Sequence, residues 1–341
     1  MINRKVELSQ ETKIQHPISL EVKGATRHVE WSMANGENLY REFGPWLKER
    51  LGMKVQKISI NAGFTCPNRD GRLGTGGCTY CNNQTFNPAY CETSKSITEQ
   101  LEEGKRFFAR KYPDMKYLAY FQAYTNTYAP IDEVVAKYEE ALRMEDVVGL
   151  VIGTRPDCMP EELLDYLSDV NKSRFVLVEY GIECADDDVL RHINRGHTFG
   201  QTREAVCRTK GKGITTGGHV ILGLPGTDCE NPDREAEAIS SLPLDVLKIH
   251  QLQLIKGTVM ADEYTRNPEA FHLFTVDEYI DYVIDYIERL RPDIIVERFV
   301  SQSPASLLAV KGWGLKNHEF VDRLRQRMTA RGARQGRLYK N

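Results

Sequence analysis

From residue 55 onward the chain alternates strand-sized, β-branched apolar runs with longer amphipathic stretches, and this order constrains the fold more than any other feature. Strands are expected at residues 55–62, 117–122, 147–153, 174–182, 215–222 and 246–251. Helices are expected between them, at 97–112, 131–144, 160–170, 199–210 and 232–241. Pro130 and Pro232 sit near helix starts, where a missing backbone N–H costs little. Parallel neighbours need crossover connections, and helices usually supply them, so six strands joined by five helices predict an α/β chain of parallel βα units. Periodicity alone leaves open whether the sheet is doubly wound or curled into a full or partial barrel. In each case the chemistry gathers at the carboxyl ends of the strands.

Residues 1–50 read as an N-terminal extension with one amphipathic helix around 39–51, ahead of a core at 51–255. Residues 256–341 read as a C-terminal extension holding a helix at 276–290, a possible strand at 294–299 and a basic tail. Among 341 residues, 41% hydrophobic, the longest apolar runs are only strand-sized, so a membrane-spanning enzyme is not expected. The start, Met1-Ile2-Asn3-Arg4-Lys5, runs into polar sequence without the apolar middle of a secretory signal, and the expected location is the cytoplasm. The net charge of −3 hides an asymmetry: residues 311–341 carry nine Lys or Arg against two acids, so the rest of the chain is strongly acidic. A basic tail on an acidic body suits contact with a polyanion, and equally a solvated helix end.

Four of the eight cysteines fall between positions 66 and 91. Directly after the first expected strand comes Asn61-Ala62-Gly63-Phe64-Thr65-Cys66-Pro67-Asn68-Arg69-Asp70-Gly71, then Gly76-Gly77-Cys78-Thr79-Tyr80-Cys81. A CxxC turn lets two thiolates converge, and the glycine-rich insert lets Cys66 join them. Three thiolates suit a 4Fe-4S cluster with one iron left open. Were Cys91 a fourth ligand, the site would suit structural zinc instead. Cys158, Cys184, Cys207 and Cys229 are dispersed and read as small core residues.

Cys66, Cys78 and Cys81, with aromatic Tyr80 before the last of them, resemble the cluster loop of a radical S-adenosylmethionine (radical SAM) enzyme. The longer first interval is similar to that of the Elongator catalytic subunit. Thr154-Arg155-Pro156-Asp157, Asn194-Arg195-Gly196-His197-Thr198, Leu224-Pro225-Gly226 and Lys248-Ile249-His250 resemble motifs of that branch in the same order. The Ala62–Gly71 phrase with Gly76-Gly77-Cys78 is similar to the narrower YhcC/YtqA-like group. The resemblance implies a partial (β/α)6 barrel with N-terminal and C-terminal extensions, a 4Fe-4S cluster and S-adenosylmethionine (SAM) as cofactors, and a reductase, flavodoxin or ferredoxin as electron donor. It also implies cleavage of SAM to a 5'-deoxyadenosyl radical, and transfer RNA as substrate, since Elongator relatives modify its wobble uridine. Arg323, Arg325, Arg327, Arg331, Arg334 and Arg337 of the tail would then suit a phosphate backbone. With only about 30 residues after Val310, acetyl-coenzyme A chemistry is expected to be absent.

Under the resemblance, the segment after the second strand faces the SAM amino group, and here Gln122, Thr125 and Asn126 stand where the family has a glutamate. Glu183 is a candidate for the ribose hydroxyls and Arg195 for the SAM carboxylate, which a guanidinium fork suits. Gly217 and Gly218 inside a strand mark either close backbone approach, Gly218 to SAM, or a bulge. Arg155, Lys248 and His250 are candidates for substrate contact; His219 and His250 could line the pocket, although a lone His on a buried strand is more often a satisfied core residue. Two readings without SAM chemistry stay open: a zinc-stabilised RNA-binding protein, and an iron–sulfur electron-transfer protein.

Overall fold

The computed structural model describes residues 39–85, 87–109 and 115–340, all within one compact unit, Met33–Asn341. The rest of the N-terminal extension lies outside the described residues. Seven parallel strands form one sheet in chain order: β1 (Val55–Ile60), β2 (Lys116–Phe121), β3 (Val147–Thr154), β4 (Phe175–Glu183), β5 (Thr215–Leu222), β6 (Val246–Gln251) and β7 (Ile295–Arg298). The six expected strands are present, β5 and β6 at the expected residues and the others with ends moved by one or two. The possible strand at 294–299 pairs with β6 as β7, so the partial (β/α)6 barrel is extended by one strand.

Ten α-helices accompany the strands among the described residues: α1 (Phe43–Leu51), α2 (Ile97–Ala109), α3 (Ile131–Leu142), α4 (Glu161–Asn171), α5 (Asp187–His192), α6 (Phe199–Gly211), α7 (Asp233–Ser240), α8 (Val259–Arg266), α9 (Val276–Arg289) and α10 (Asn317–Arg331). Strand side chains alternate between two faces. Ile58, Ile60, Phe121, Ile152, Val178 and Val220 face the crossover helices and form the main core with them. α9 is typical of that layer: Thr275 caps its first turn, Glu278 closes the capping box, and Ile280, Val283, Ile284 and Ile287 are buried beneath it. Burying side chains of this size stabilises by about 1.5–3 kcal/mol each.

The opposite strand face lines the barrel interior. Its amino-terminal end is plugged by α1, whose Leu47 packs with Leu118, Val151, Phe175, Leu177, Val246 and Ile295. The curl of the sheet shows in Lys57 of β1, whose Nζ lies 2.7 Å from Glu179 of β4 and 2.7 Å from Glu297 of β7. The first and last strands therefore meet through side chains across the interior.

α10 contains four of the tail's nine cations, and the structure gives several of the tail's charges local partners. Arg327 pairs with Asp281 at 2.6 Å and Asp277 at 3.0 Å, and Arg331 pairs with Asp281 at 3.3 Å and with Asp285. Arg337 pairs with Glu288, and Arg325 with Glu42. The acidic face of α9 thus takes up much of the tail's charge, while Arg323 and Arg334 are exposed. Among the described residues no helix is long and apolar enough to cross a membrane.

Candidate functional site

The cysteine loop leaves the carboxyl end of β1 and is held at both ends by Gln100 of α2. The Gln100 amide donates to the carbonyls of Asn61, Glu92 and Lys95 at 2.9, 3.2 and 3.2 Å, and its oxygen accepts from the Asn61 N–H. Within the loop, the Cys81 N–H donates to the Cys78 carbonyl at 3.0 Å, closing the CxxC turn, and Arg69 Nη2 donates to the Cys81 carbonyl at 2.9 Å.

A second loop, after α5, is laced to the first. Asn68 Nδ2 reaches the carbonyls of Asn194 (2.7 Å) and Arg195 (3.1 Å) and the Cys78 Sγ (3.6 Å). Asn194 Nδ2 donates to the Gly77 carbonyl at 2.8 Å. Gly196 has φ +75°, and a Cβ there would stand 2.7 Å from Asn68 Oδ1, so only glycine fits. These contacts place Arg195 over the cysteines. Its Nη1 lies 3.6 Å from Cys78 Sγ, its Nη2 donates to the Gly181 carbonyl at 2.6 Å and lies 3.4 Å from Glu183 Oε1, and its Nε is buried without a partner. Glu183 itself sits at φ +69°, a conformation non-glycine residues rarely hold and one that recurs at functional sites.

Cys66, Cys78 and Cys81 line one chamber of about 1010 Å³ together with Gln122, Thr125 and Arg195. Burial, then the neighbouring Cys78, pushes the Cys81 thiol up to about 11 against the pull of Arg69. Cys91 does not join the trio: its thiol donates to the Ser59 carbonyl at 3.0 Å and it does not line the chamber, which removes the fourth ligand of the zinc reading.

Several expected site residues take other roles. Asn126 lies off the chamber, its amide donating to the carbonyls of Phe121 (3.0 Å) and Gly153 (2.8 Å), where it ties β2 to β3. Gly218 lies on the outer strand face, where a Cβ would meet Ile182 at 2.5 Å and Leu244 at 3.2 Å, so it approaches packing rather than cofactor. Gly217, one residue earlier, faces inward against Glu179. Arg155 reaches the chamber wall, but its Nε and Nη2 each donate at 2.9 Å to Asp157 and its Nη1 donates to the Arg195 carbonyl at 2.7 Å. It buttresses the Arg195 loop instead of awaiting a substrate anion.

Lys248 does point into the barrel, yet its ammonium is engaged. It lies 2.8 Å from Glu179, 3.2 Å from Glu297 and 3.1 Å from the Tyr120 hydroxyl. With Lys57 bridging the same two carboxylates, and His219 Nε2 2.9 Å from Glu179, the chamber floor is a closed ring of two cations and two anions. Burial alone would raise the Glu179 carboxyl, but Lys248 and Lys57 hold it well below the usual carboxylate range. Burial, and then the Lys248 charge, push His219 down against the pull of Glu179. Sequence reasoning missed Lys57, Glu179 and Glu297; the signal was a charged residue at an inward position of otherwise apolar strands. It also missed Asn68 and Asn83, whose amides reach Cys78 and Cys81 Sγ at 3.6 Å each, for which loop sequence carries no signal.

Arg195, with one guanidinium nitrogen buried and unpartnered, stands against Cys78 in a chamber that Cys66 and Cys81 also line. Among the described residues no three His, Cys, Asp or Glu side chains are gathered closely enough to hold a metal ion as they stand, but a donor set of three thiols suits a cluster with one open iron and a carboxylate-bearing cofactor next to it. A curled parallel sheet that presents such a loop at its carboxyl mouth defines the iron–sulfur half-barrel class. The chain belongs to the radical SAM superfamily, whose family model matches residues 65–237, with the Radical_SAM C-terminal domain matching residues 244–330. It is 34% identical over 306 residues to the uncharacterized protein YtqA of Bacillus subtilis, covering 90% of this chain and 94% of YtqA. It is 35% identical over 281 residues to protein YhcC of Escherichia coli (81% and 88%), and 26% identical over 218 residues to a tRNA uridine(34) acetyltransferase of Dehalococcoides mccartyi (60% and 44%). The fold is similar to that of the archaeal Methanocaldococcus infernus Elp3 with its N-terminus deleted, at a TM-score of 0.59 and 17% identity, over 82% of this chain and 64% of that one.

Proposed function

We propose that this chain holds a 4Fe-4S cluster through Cys66, Cys78 and Cys81, binds SAM beside it and acts on transfer RNA. When bound, the cluster supplies an open iron and an electron, delivered by a reductase, flavodoxin or ferredoxin, with which SAM is split to methionine and a 5'-deoxyadenosyl radical. The observation that carries this reading is Arg195, buried against Cys78 with its Nε unpartnered and facing no protein acceptor. A carboxylate at that nitrogen would satisfy it. Gln122 and Thr125 offer oxygens from the end of β2 toward an ammonium, and Glu183 offers its carboxylate to hydroxyls on the same side. The Asn68 and Asn83 amides point N–H groups at two of the sulfurs, where they would donate to cluster-ligating cysteines.

Support for transfer RNA comes from the tRNA uridine(34) acetyltransferase relatives and from exposed cations. Arg298, at the carboxyl end of β7, lines the chamber and is exposed, and Arg323 and Arg334 add to it on the tail. The test is anaerobic reconstitution followed by electron paramagnetic resonance of the reduced protein. The expected result is a 4Fe-4S signal that changes with SAM and is absent in Cys78→Ala. A cluster indifferent to SAM would leave the electron-transfer reading, and bound zinc the RNA-binding one.

A further inference from the structure

Only two residues lining the chamber carry a buried side-chain nitrogen or oxygen without a hydrogen bond, among the described residues: Arg195, at Nε, and His250, at Nε2. They are anchored on strands with only β5 between them, Arg195 through its bond to Gly181 of β4 and His250 on β6. Arg195 stands over the cysteines, whereas His250 belongs to β6, two residues beyond Lys248 on the same face. A polar atom buried without a partner destabilises the protein that carries it, and persists where something else satisfies it.

The surroundings of His250 define what that is. Its Nδ1 is hydrogen-bonded to Ser301 Oγ, and the Ser301 backbone is pinned by Gln251, which accepts from its N–H at 2.6 Å and donates to its carbonyl at 3.0 Å. The ring is therefore held in one orientation. Burial and the neighbouring His219, 5.5 Å away between centroids, keep the imidazole neutral. The cations below are taken up by the Lys57–Glu179–Lys248–Glu297 ring, so a phosphate entering there would have to break paired charges. Ile221, Leu252 and Ile255 supply apolar wall nearby. A neutral nitrogen above a self-neutralised floor, flanked by apolar side chains and a second aromatic ring, suits a flat heterocycle with a polar edge. The exposed Arg298 at the opening suits the phosphate that follows it.

We propose that His250 is the substrate-binding residue of the chamber, hydrogen-bonding through Nε2 to the edge of a nucleobase turned in from an RNA strand, with Ser301 holding the imidazole in place. This rests on the transfer-RNA reading above. A neutral imidazole offers one donor and one acceptor; the Ser301 hydroxyl engages one of them at Nδ1 and the other is left at Nε2. Nucleobase edges carry both N–H donors and carbonyl acceptors, so either tautomer finds a partner.

The test uses the reconstituted full chain with SAM, reductant and bulk transfer RNA, following 5'-deoxyadenosine formation against RNA concentration. His250→Ala is expected to raise the half-saturating RNA concentration about tenfold while iron content and thermal unfolding stay at wild-type values. His250→Gln, which keeps a donor and an acceptor, recovers part of that loss, and Ser301→Ala falls between wild type and His250→Ala. Should His250→Ala unfold the chain, His250→Leu repeats the measurement with the volume filled. Unchanged half-saturation in a folded variant, or a fall in turnover alone, overturns the assignment of His250. Wild-type protein that cleaves SAM but neither binds nor responds to transfer RNA overturns the nucleobase instead, and with it the RNA reading.

Discussion

The two ends of the chamber are built on opposite plans. At the mouth, loops are tied by side chains to backbone carbonyls: Asn68 to residues 194 and 195, Asn194 to Gly77, Arg155 to Arg195, and Arg195 to Gly181 of β4. On the floor, strand side chains are tied to one another chiefly by paired charges, through Lys57, Glu179, Lys248 and Glu297. The floor satisfies itself and holds the barrel's curl. The mouth is left incomplete at Arg195 Nε, as expected of a wall that receives a ligand.

The largest effect of breaking this contrast is expected on the floor. Glu179→Gln leaves two buried ammonium groups sharing Glu297, and urea unfolding should show a loss of about 3–5 kcal/mol. A loss below about 1 kcal/mol would mean that water already screens the ring. The pH dependence follows from the sign of the shift. Because the folded Glu179 carboxyl lies well below its ordinary 4.5, its contribution is complete above that value and is lost as pH falls beneath it. The stability gap between wild type and Glu179→Gln should therefore be flat from neutral pH down to about pH 5 and close only in more acid solution.

A smaller and more local effect is expected at the mouth. A Cβ at Gly181 would stand 2.5 Å from both Arg195 Nη2 and Glu183 Oε1, so Gly181→Ala should weaken SAM binding by roughly 10–100-fold in equilibrium dialysis while iron content is kept. Gly218→Ala makes the comparison sharp. Its Cβ meets Ile182 on the outer face, so it should lower stability by about 1–3 kcal/mol and leave SAM affinity unchanged. Equal loss of SAM affinity in the two variants would mean that the faces are not independent. Least affected is the tail: Arg331→Gln should cost under about 1 kcal/mol, and less still at high salt.

Much of the architecture was legible because it is periodic. β5 and β6 fall where the pattern places them, and α9 announces itself through Thr275, Glu278 and its apolar stripe. The cysteines were legible because a CxxC turn is local. Which way a side chain faces was harder to read. Gly217 and Gly218 are adjacent and equally conspicuous in sequence, yet the strand's two-residue period sends one toward Glu179 and the other toward Ile182. The tail misled for a different reason. Its arginines read as free charge because their partners, Asp277, Asp281 and Asp285, lie about 40–50 residues earlier on a helix that only folding brings alongside.

Sequence alone determined the order of strands and helices, the three thiols and the loop that carries them, since each depends on neighbours within a few residues. Tertiary structure decided which charges remain open for chemistry. Lys248 and Arg155 looked available in sequence and are closed by Glu179, Glu297 and Asp157, whereas Arg195 and His250 keep one buried nitrogen each. Hydrogen-bond satisfaction depends on contacts between residues far apart in the chain, and no local pattern records them.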